Sequence, residues 1–467
     1  SENIAKRFDS YNWQVLFADG HNQNSIAQAL KAGQVETLRP TIIITKTHIG
    51  YGSPNKQDTH GVHGAPLGEE ELKATKKNLG WPEDAEFYIP EEVKNIFAAR
   101  IKELKLEYDQ WQIAFRDWKS QHPTLANEME KMFLKSVPEH LEEELLAVIG
   151  SEASATRSLS GKVMQKIAEL VPSLVGGSAD LAPSTNTFLK SHEAISRGKY
   201  SGRNFHFGIR EHGMGAVING IALYGGFIPF GATFLVFSDY MRPAIRLASI
   251  MGIQVVYVFT HDSIFVGEDG PTHQPIEHIA ALRAIPNIMV LRPADGKEVA
   301  MCWAVALKNR HQPTALILTR QKLPPLERLK NFDPKIIQRG GYILSESDKN
   351  RPDVVLVASG SEVEVAVEAQ KLLNSQGVAT RVVSLPSIEL FNQQSADYRN
   401  SVIPERESKV VVIEAGVTQG WGRITDLPLL TIGMNRFGAS APYKILAEKF
   451  GFTGTQVAEK VKHWLIS

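Results

Sequence analysis

The chain has 467 residues, 43% of them apolar, which leaves room for two or three domains with sizeable cores and excludes a disordered polymer. Lys plus Arg and Asp plus Glu both number 51, so a formal net charge of zero argues against a dedicated nucleic-acid binder or a protein of anionic membranes. The one cysteine, Cys302, excludes an intrachain disulfide and a paired-thiolate zinc site, and suits a reducing cytosol or organelle stroma. Ser1 opens a polar, charged stretch, from which no secretory signal is expected.

Trp13–Asp19 reads as a strand, Asn24–Gly33 as a helix capped by Asn24 or Ser25, and Thr41–Thr45, bounded by Pro40, as a second strand. This is a β-α-β unit of the parallel kind. Two strands cannot sustain a doubly wound sheet, so the sequence is expected to begin inside a domain. From Glu91 to Ile149 charged residues interleave with Phe97, Ile101, Leu104, Tyr108, Trp111, Phe115 and Trp118. That spacing predicts helices with one apolar face, packed on the sheet domains as a connector.

Ser151 to about Leu323 reads as an α/β domain, with buried parallel-type strands at Ile253–Phe259 and Ala315–Leu318. Ligands of open α/β sheets gather at the carboxyl ends of strands, where this sequence places Thr260-His261-Asp262 and Thr319-Arg320. His212–Ser238 holds no Asp, Glu, Lys or Arg, but Gly225-Gly226, Pro229 and Gly231 interrupt it. A membrane span needs about 20 apolar residues in continuous helix, so a buried helix, a turn and the start of a second helix are expected instead. Lys322 to Arg351 reads as a charged, Pro-containing link. A third α/β domain follows, with strands at Val354–Ala358 and Ala379–Val383 around a helix from Glu362 to Gln376. Ser361, in the turn before that helix, stands where an anion can bind, although a structural role is favoured.

Glu211 is the most informative single residue. It lies between the aromatic strand end Phe205-His206-Phe207 and the helical run Gly213-Met214-Gly215-Ala216-Val217. A carboxylate buried at such a junction is costly to desolvate, and its pKa rises toward neutral pH, which suits proton exchange. The alternative is a helix-start glutamate that meets the helix dipole. Phe234, Phe237 and Tyr240 recur at three-residue spacing and are read as one helical face, of core type on residue chemistry alone. His60, His63, His261, His273 and His278 lack the spacing of a helical zinc pair, so a polar pocket is the better reading.

Several longer runs fix the family resemblance. They are Thr47-His48-Ile49-Gly50-Tyr51-Gly52-Ser53, His60-Gly61-Val62-His63-Gly64, Gly176-Gly177-Ser178-Ala179-Asp180-Leu181-Ala182-Pro183-Ser184 and Gly267-Glu268-Asp269-Gly270-Pro271-Thr272-His273-Gln274-Pro275. Across the whole chain the sequence resembles transketolase, a thiamine diphosphate enzyme. The resemblance implies an α/β fold of thiamine diphosphate-binding, doubly wound parallel sheets plus a C-terminal α/β domain. It divides the chain into the remainder of a diphosphate-binding domain (1–90), a helical connector (91–150), a pyrimidine-binding domain (151–325), a linker (326–351) and a C-terminal domain (352–467).

The implied reaction transfers a two-carbon ketol group from a ketose phosphate to an aldose phosphate, as in the pentose phosphate pathway or Calvin cycle. By the resemblance Glu211 activates the cofactor and His273 and His60 assist with proton movement. The cofactor is held by His60, Asp180, Glu211, Phe234, Phe237 and Tyr240. Substrate is bound by Arg157, Ser184, His261, Asp269, His273 and Arg320, of which Arg157, Ser184, His261 and Arg320 match the phosphate end. A homodimer is implied, acting on sugar phosphates, with no nucleic acid or membrane, in the cytoplasm or a plant's plastid stroma.

One part of the family pattern has no counterpart. The family's diphosphate-metal motif is Gly-Asp-Gly followed downstream by Asn, and the sequence contains no Gly-Asp-Gly. Asp19-Gly20-His21-Asn22 belongs to a later loop of the pattern. Mg²⁺ or Ca²⁺ is therefore expected with the cofactor, but with its family ligands absent, and no metal-ligating residue is assigned. The alternatives are dihydroxyacetone synthase, which has similar motifs, and a truncated or split chain active only with a separate N-terminal chain.

Overall fold

The computed structural model describes residues 2–347, 351–404 and 408–466, so part of the expected linker, 348–350, lies outside the described residues. The chain divides into two units, Ser1–Trp118 and Lys119–Ser467.

In the first unit, strands β1 (Gln14–Asp19) and β2 (Thr41–Lys46) pair in parallel across the helix Gln23–Gln34. This is the β-α-β unit that the sequence predicts. The helix is capped two residues before the nearer expected cap, Asn24: Asn22 accepts from the backbone N–H groups of Asn24 and Ser25. Ser25 instead accepts from the Asp19 backbone at 3.1 Å, tying helix to strand. A single helix runs from Glu91 to Gln121. Its aromatic stripe was expected to be covered. From Phe97, at 64%, to Trp111, at 53%, it is exposed instead, while Phe115 and Trp118 are half-buried.

In the second unit Ser154–Ala155 (β3) begins a parallel α/β layer comprising β4 (Leu174–Ser178), β5 (Asn204–His206), β6 (Ile228–Phe234), β7 (Val256–Thr260), β8 (Met289–Leu291) and β9 (Thr314–Leu318). These six strands are all parallel, in the order β5-β4-β6-β7-β9-β8. Lys322–Leu323 (β10) returns to pair antiparallel with β3. Alternate residues of β7 feed two cores: Val256 and Val258 face one, Tyr257 and Phe259 the other. Full burial on both faces removes the alternation by which a strand is usually recognised.

That effect explains one misread element. β6 occupies the stretch where a turn and a second helix were expected, and Pro229 and Gly231 lie within it. The parallel sheet also explains the Gly-Gly pair of β4. A Cβ at Gly177 would lie 1.8 Å from the Phe205 carbonyl oxygen of β5.

The C-terminal sheet joins β11 (Tyr342–Ser345), β12 (Val354–Ala358), β13 (Thr380–Ser384), β14 (Lys409–Ile413) and β15 (Leu429–Ile432) in the order β11-β13-β12-β14-β15. β11 is its antiparallel edge and falls within the stretch read as a link. Among the described residues no helix is long and apolar enough to cross a membrane.

Candidate active site

The strand order of the six-stranded sheet reverses between β4 and β6, the position at which open α/β sheets hold ligands outside their carboxyl ends. The chain leaves β4 into Asp180 and Ser184, β6 into Phe237, β7 into His261 and β9 into Arg320. Four neighbouring strand ends thus deliver most of the predicted residues.

His261 is the hub. It is 3% exposed, and its φ of 62° is left-handed, a strained setting for a residue with a Cβ. The ring stacks on Phe234 with centroids 3.6 Å apart. Its Nε2 lies 3.5 Å from Arg157 Nη1 and its Nδ1 2.8 Å from Thr260 Oγ1. An arginine N–H can only donate, so Nε2 accepts and the Nδ1–H donates to the threonine. Burial, followed by the charges of Arg157 and Arg320 and by His273, pushes the imidazole down to about 3. The ring is therefore neutral at physiological pH.

Phe234 and Phe237 stack in parallel at 5.8 Å, and Tyr240 continues the run at 6.0 Å from Phe237. These three were read as one helical face. In the structure Phe234 ends β6, Phe237 closes a 3-10 turn and Tyr240 lies in the helix Ser238–Met251. His273 sets its edge toward both phenylalanines, at 6.4 and 5.7 Å, and bonds Thr272 Oγ1 through Nδ1 at 2.9 Å.

Arg157 opens the helix Thr156–Leu170 and donates to the Ser184 carbonyl at 2.6 Å. It therefore meets Ser184 through the backbone. Its Nε is buried without a partner, and burial together with Arg320 holds its pKa below the usual arginine range. Arg320 donates to the Val266 carbonyl at 3.1 Å and lies 3.9 Å from the exposed Glu268 carboxylate. Two guanidinium groups thus share a site with little counter-charge.

The other predicted residues are less engaged. Asp180, with φ 59°, and Asp269 are exposed. Glu211 was expected to be buried. It is half-buried in the first turn of the helix Glu211–Tyr224, with no hydrogen bond or ion pair among the described residues. The reason is local: an edge strand, β5, precedes it, and only one side of the helix packs, on β6 and on the helix Ser238–Met251. His60 and His63 lie in the first unit, in and after a 3-10 turn, and are exposed.

The structure gives parts to residues that the sequence names without assigning them a role. Thr260 accepts the Nδ1–H of His261. Asp262 is fully buried on Arg292. His278, 5% exposed, bonds Asp239 through Nε2 at 3.1 Å, and ligand atoms of Asp239, Glu277 and His278 lie within 4.8 Å of one another. The signals available were a charged residue directly after an apolar strand and a threonine next to a histidine.

Comparison with known proteins decides the family. Residues 1–138 match the transketolase thiamine diphosphate binding domain, 152–325 the transketolase pyrimidine binding domain and 340–453 the transketolase-like C-terminal domain. The chain belongs to the transketolase family. It is 45% identical to the transketolase of Bacillus subtilis over 464 residues, which is 99% of this chain and 70% of that protein. A Pichia stipitis transketolase in complex with sedoheptulose 7-phosphate superposes with a TM-score of 0.91 at 38% identity, covering 98% of this chain and 68% of the other. A split-gene transketolase, described as an inactive β4 tetramer, superposes with a TM-score of 0.54 at 27% identity, over 66% of this chain and 97% of its own. The clustered strand ends thus lie within the match to the pyrimidine binding domain of the transketolase family.

Proposed function

We propose that these residues form the pyrimidine and sugar-phosphate parts of a transketolase site, for transfer of a two-carbon ketol group between a ketose phosphate and an aldose phosphate. The observation that carries this is the cluster of Phe234, Phe237, His261, His273, Arg157 and Arg320 at one end of the sheet. Stacked phenyl faces suit a flat ring, and the unpartnered Glu211 carboxylate at a helix start suits a ring nitrogen. The orphaned Nε of Arg157, buried beside a second arginine, suits a phosphate oxygen. Bound thiamine diphosphate would supply a carbon nucleophile.

The residues here take defined parts. Glu211 would exchange a proton with the cofactor's ring. Phe237 would stack on that ring, with Phe234 and Tyr240 lining it. Asp180 would stand beside the cofactor. Neutral His261 stands with Arg157 at the phosphate end, its Nδ1–H committed to Thr260 and its Nε2 facing the guanidinium. His273 moves protons and Asp269 reads the ketose hydroxyl; within the first unit, His60 is assigned to proton movement by the family resemblance. Arg157, Arg320 and Ser184 hold the phosphate.

The diphosphate end does not fit in the same way. A hard cation such as Mg²⁺ or Ca²⁺ takes oxygen ligands, and the sequence has no Gly-Asp-Gly. Asp239, Glu277 and His278, the metal-spaced cluster among the described residues, includes an imidazole and lacks that character. We infer that the diphosphate ligands come from outside these 467 residues, on the same polypeptide or a separate one. The division into 1–90, 91–150, 151–325, 326–351 and 352–467, of whose bounds those of the pyrimidine-binding domain lie close to a family match at 152–325, is part of the same reading. So is a homodimer, supported by the exposed Val217, Leu223 and Tyr224 of one helix and Tyr240, Leu247 and Ile250 of its neighbour. The lone cysteine accords with a cytoplasmic or stromal setting. Dihydroxyacetone synthase is the second enzyme reading, and formaldehyde as acceptor separates the two.

Calorimetry on the 467-residue chain tests the half-site. Weak, Mg²⁺-insensitive binding of thiamine diphosphate is expected, with ketol transfer appearing once a Gly-Asp-Gly-bearing fragment is added. Submicromolar Mg²⁺-dependent binding by the chain alone would overturn it.

A further inference from the structure

A fully buried ion cluster joins the C-terminal domain to the residue next to His261. Arg292 follows β8 and is 0% exposed, Asp262 is 1% exposed and Glu362, the first residue of the helix Glu362–Ser375, is 0% exposed. Nε and Nη2 of Arg292 donate to Asp262 Oδ2 at 3.0 and 2.7 Å. Nη1 donates to the Ser359 carbonyl at 3.0 Å and to Glu362, and Nη2 reaches Glu362 Oε1 at 3.2 Å. All five guanidinium N–H groups are thereby used.

The backbone is locked as well. Arg292 N–H donates to the Pro386 carbonyl at 2.8 Å, and Gly360 N–H donates to the Arg292 carbonyl at 3.0 Å. Gly360 has φ 59°, and a Cβ there would lie 2.7 Å from Arg292 Nε. Ser361, read from sequence as a possible anion-binding cap, makes no side-chain cap bond. Its hydroxyl donates to Glu362 Oε1 at 2.7 Å, so the carboxylate at this helix start is the chain's own. Burial raises Glu362, while the arginine holds it down. For Arg292 burial works against the charge, but the two carboxylates outweigh it and the guanidinium is held charged.

A buried pair of this kind is weak evidence of stability, because desolvation offsets much of the attraction. Its place suggests another use. Asp262 is joined by one peptide bond to His261, whose left-handed backbone persists only where its surroundings over-determine it. The neighbouring loop is held from the same side. Gln274 Nε2 bridges the Gly267 and Ala439 carbonyls at 2.8 and 2.9 Å.

We infer that Arg292 and Glu362 are positioning residues: the C-terminal domain, through Glu362, Arg292 and Asp262, fixes the strained backbone that aims His261 at the substrate. This rests on the transketolase reading only for what His261 touches.

The first test needs no catalysis. Histidine-labelled chain is observed by NMR, with the His261 ring signals assigned by their loss in His261→Gln. Glu362→Gln is expected to move the His261 signals and raise its pKa by about one unit, tenfold in proton affinity, while signals of distant histidines stay in place. Ser361→Ala, a smaller change, should move them in the same direction and covers the case in which Glu362→Gln does not fold. His261 signals unmoved in a folded variant would overturn the inference. In the complete, cofactor-loaded enzyme, Glu362→Gln should raise KM for the sugar phosphate about tenfold, and by less than about twofold in a His261→Gln background. Additive losses in that cycle would also overturn it. A wild-type enzyme without ketol transfer would refute the functional reading instead, and the NMR result would still decide the relay.

Discussion

Lowering the pH should weaken the second unit through His261, by an amount the structure sets. The ring has an ordinary pKa of 6.5 and is pushed down to about 3 by burial, by Arg157 and Arg320 and by His273. The folded state therefore prefers the neutral ring. Above pH 6.5 both states are neutral and the residue contributes nothing to the pH dependence. As pH falls below 6.5 the unfolded chain takes up a proton that the folded chain refuses. Stability then falls by about 1.4 kcal/mol per pH unit, until the folded ring also protonates near pH 3. Between pH 6.5 and 5 the loss is about 2 kcal/mol, and over the whole range it approaches roughly 5 kcal/mol as an upper bound. Urea unfolding at pH 7 and pH 5, followed by fluorescence of the fully buried Trp303 and Trp421, measures it. His261→Gln supplies a ring position that cannot titrate, and all other histidines cancel in the difference. Wild type should lose about 2 kcal/mol more than the variant over that interval. Equal losses would show that the buried ring does not hold its neutral form.

Glu211→Ala should abolish ketol transfer in the complete enzyme while changing the stability of this chain by less than about 1 kcal/mol, since the carboxylate has no partner beyond its helix start. A residual rate above roughly a tenth, under about 1.4 kcal/mol of barrier, would remove its assignment. Arg157→Ala and Arg320→Ala should each raise KM for phosphorylated substrates at least about tenfold more than for unphosphorylated ketols, and steady-state kinetics with both substrate types reads the difference. Replacing Val217 and Ile250 by Glu should shift the sedimentation coefficient from dimer to monomer at micromolar concentration. An unchanged coefficient would place the twofold interface elsewhere.

The parts of the fold legible in the sequence were those whose signal is local. The unit β1-helix-β2 and the strand β12 have continuous apolar runs with clear ends. The strand ends at His261 and Arg320 followed from the rule that ligands of open α/β sheets gather at the carboxyl ends of strands. β6 was lost because a strand buried on both faces shows no alternation, and its Pro229 and Gly231 read as breakers. Glu211 was recognised for its place between strand and helix, but its exposure depends on β5 being an edge strand, which no local pattern reveals. The Asp262–Arg292–Glu362 cluster joins residues 30 and 70 positions apart, and only the packing of two sheets brings them together.

The charge arrangement of the site follows from these placements. Arg157 and Arg320 each have a fixed carbonyl partner, and the one carboxylate near Arg320, Glu268, is 61% exposed and 3.9 Å away. An exposed pair at that distance contributes little. By contrast, Arg292, Arg283 and Arg328 each meet a carboxylate inside the core, Arg283 on Glu414 at 2.9 Å and Arg328 on Asp295 at 2.6 Å. The chain thus neutralises the arginines that join its sheets and leaves largely uncompensated the two that stand at the strand ends. His261 lies between these groups, with one ring nitrogen toward Arg157 and its next residue on Arg292. Because the imidazole is neutral, it adds hydrogen-bonding capacity without adding charge, and the positive potential at the strand ends remains that of two guanidinium groups. A doubly charged phosphate matches that potential better than a neutral hydroxyl, so substrate affinity should fall with ionic strength for phosphorylated sugars and stay level for unphosphorylated ones.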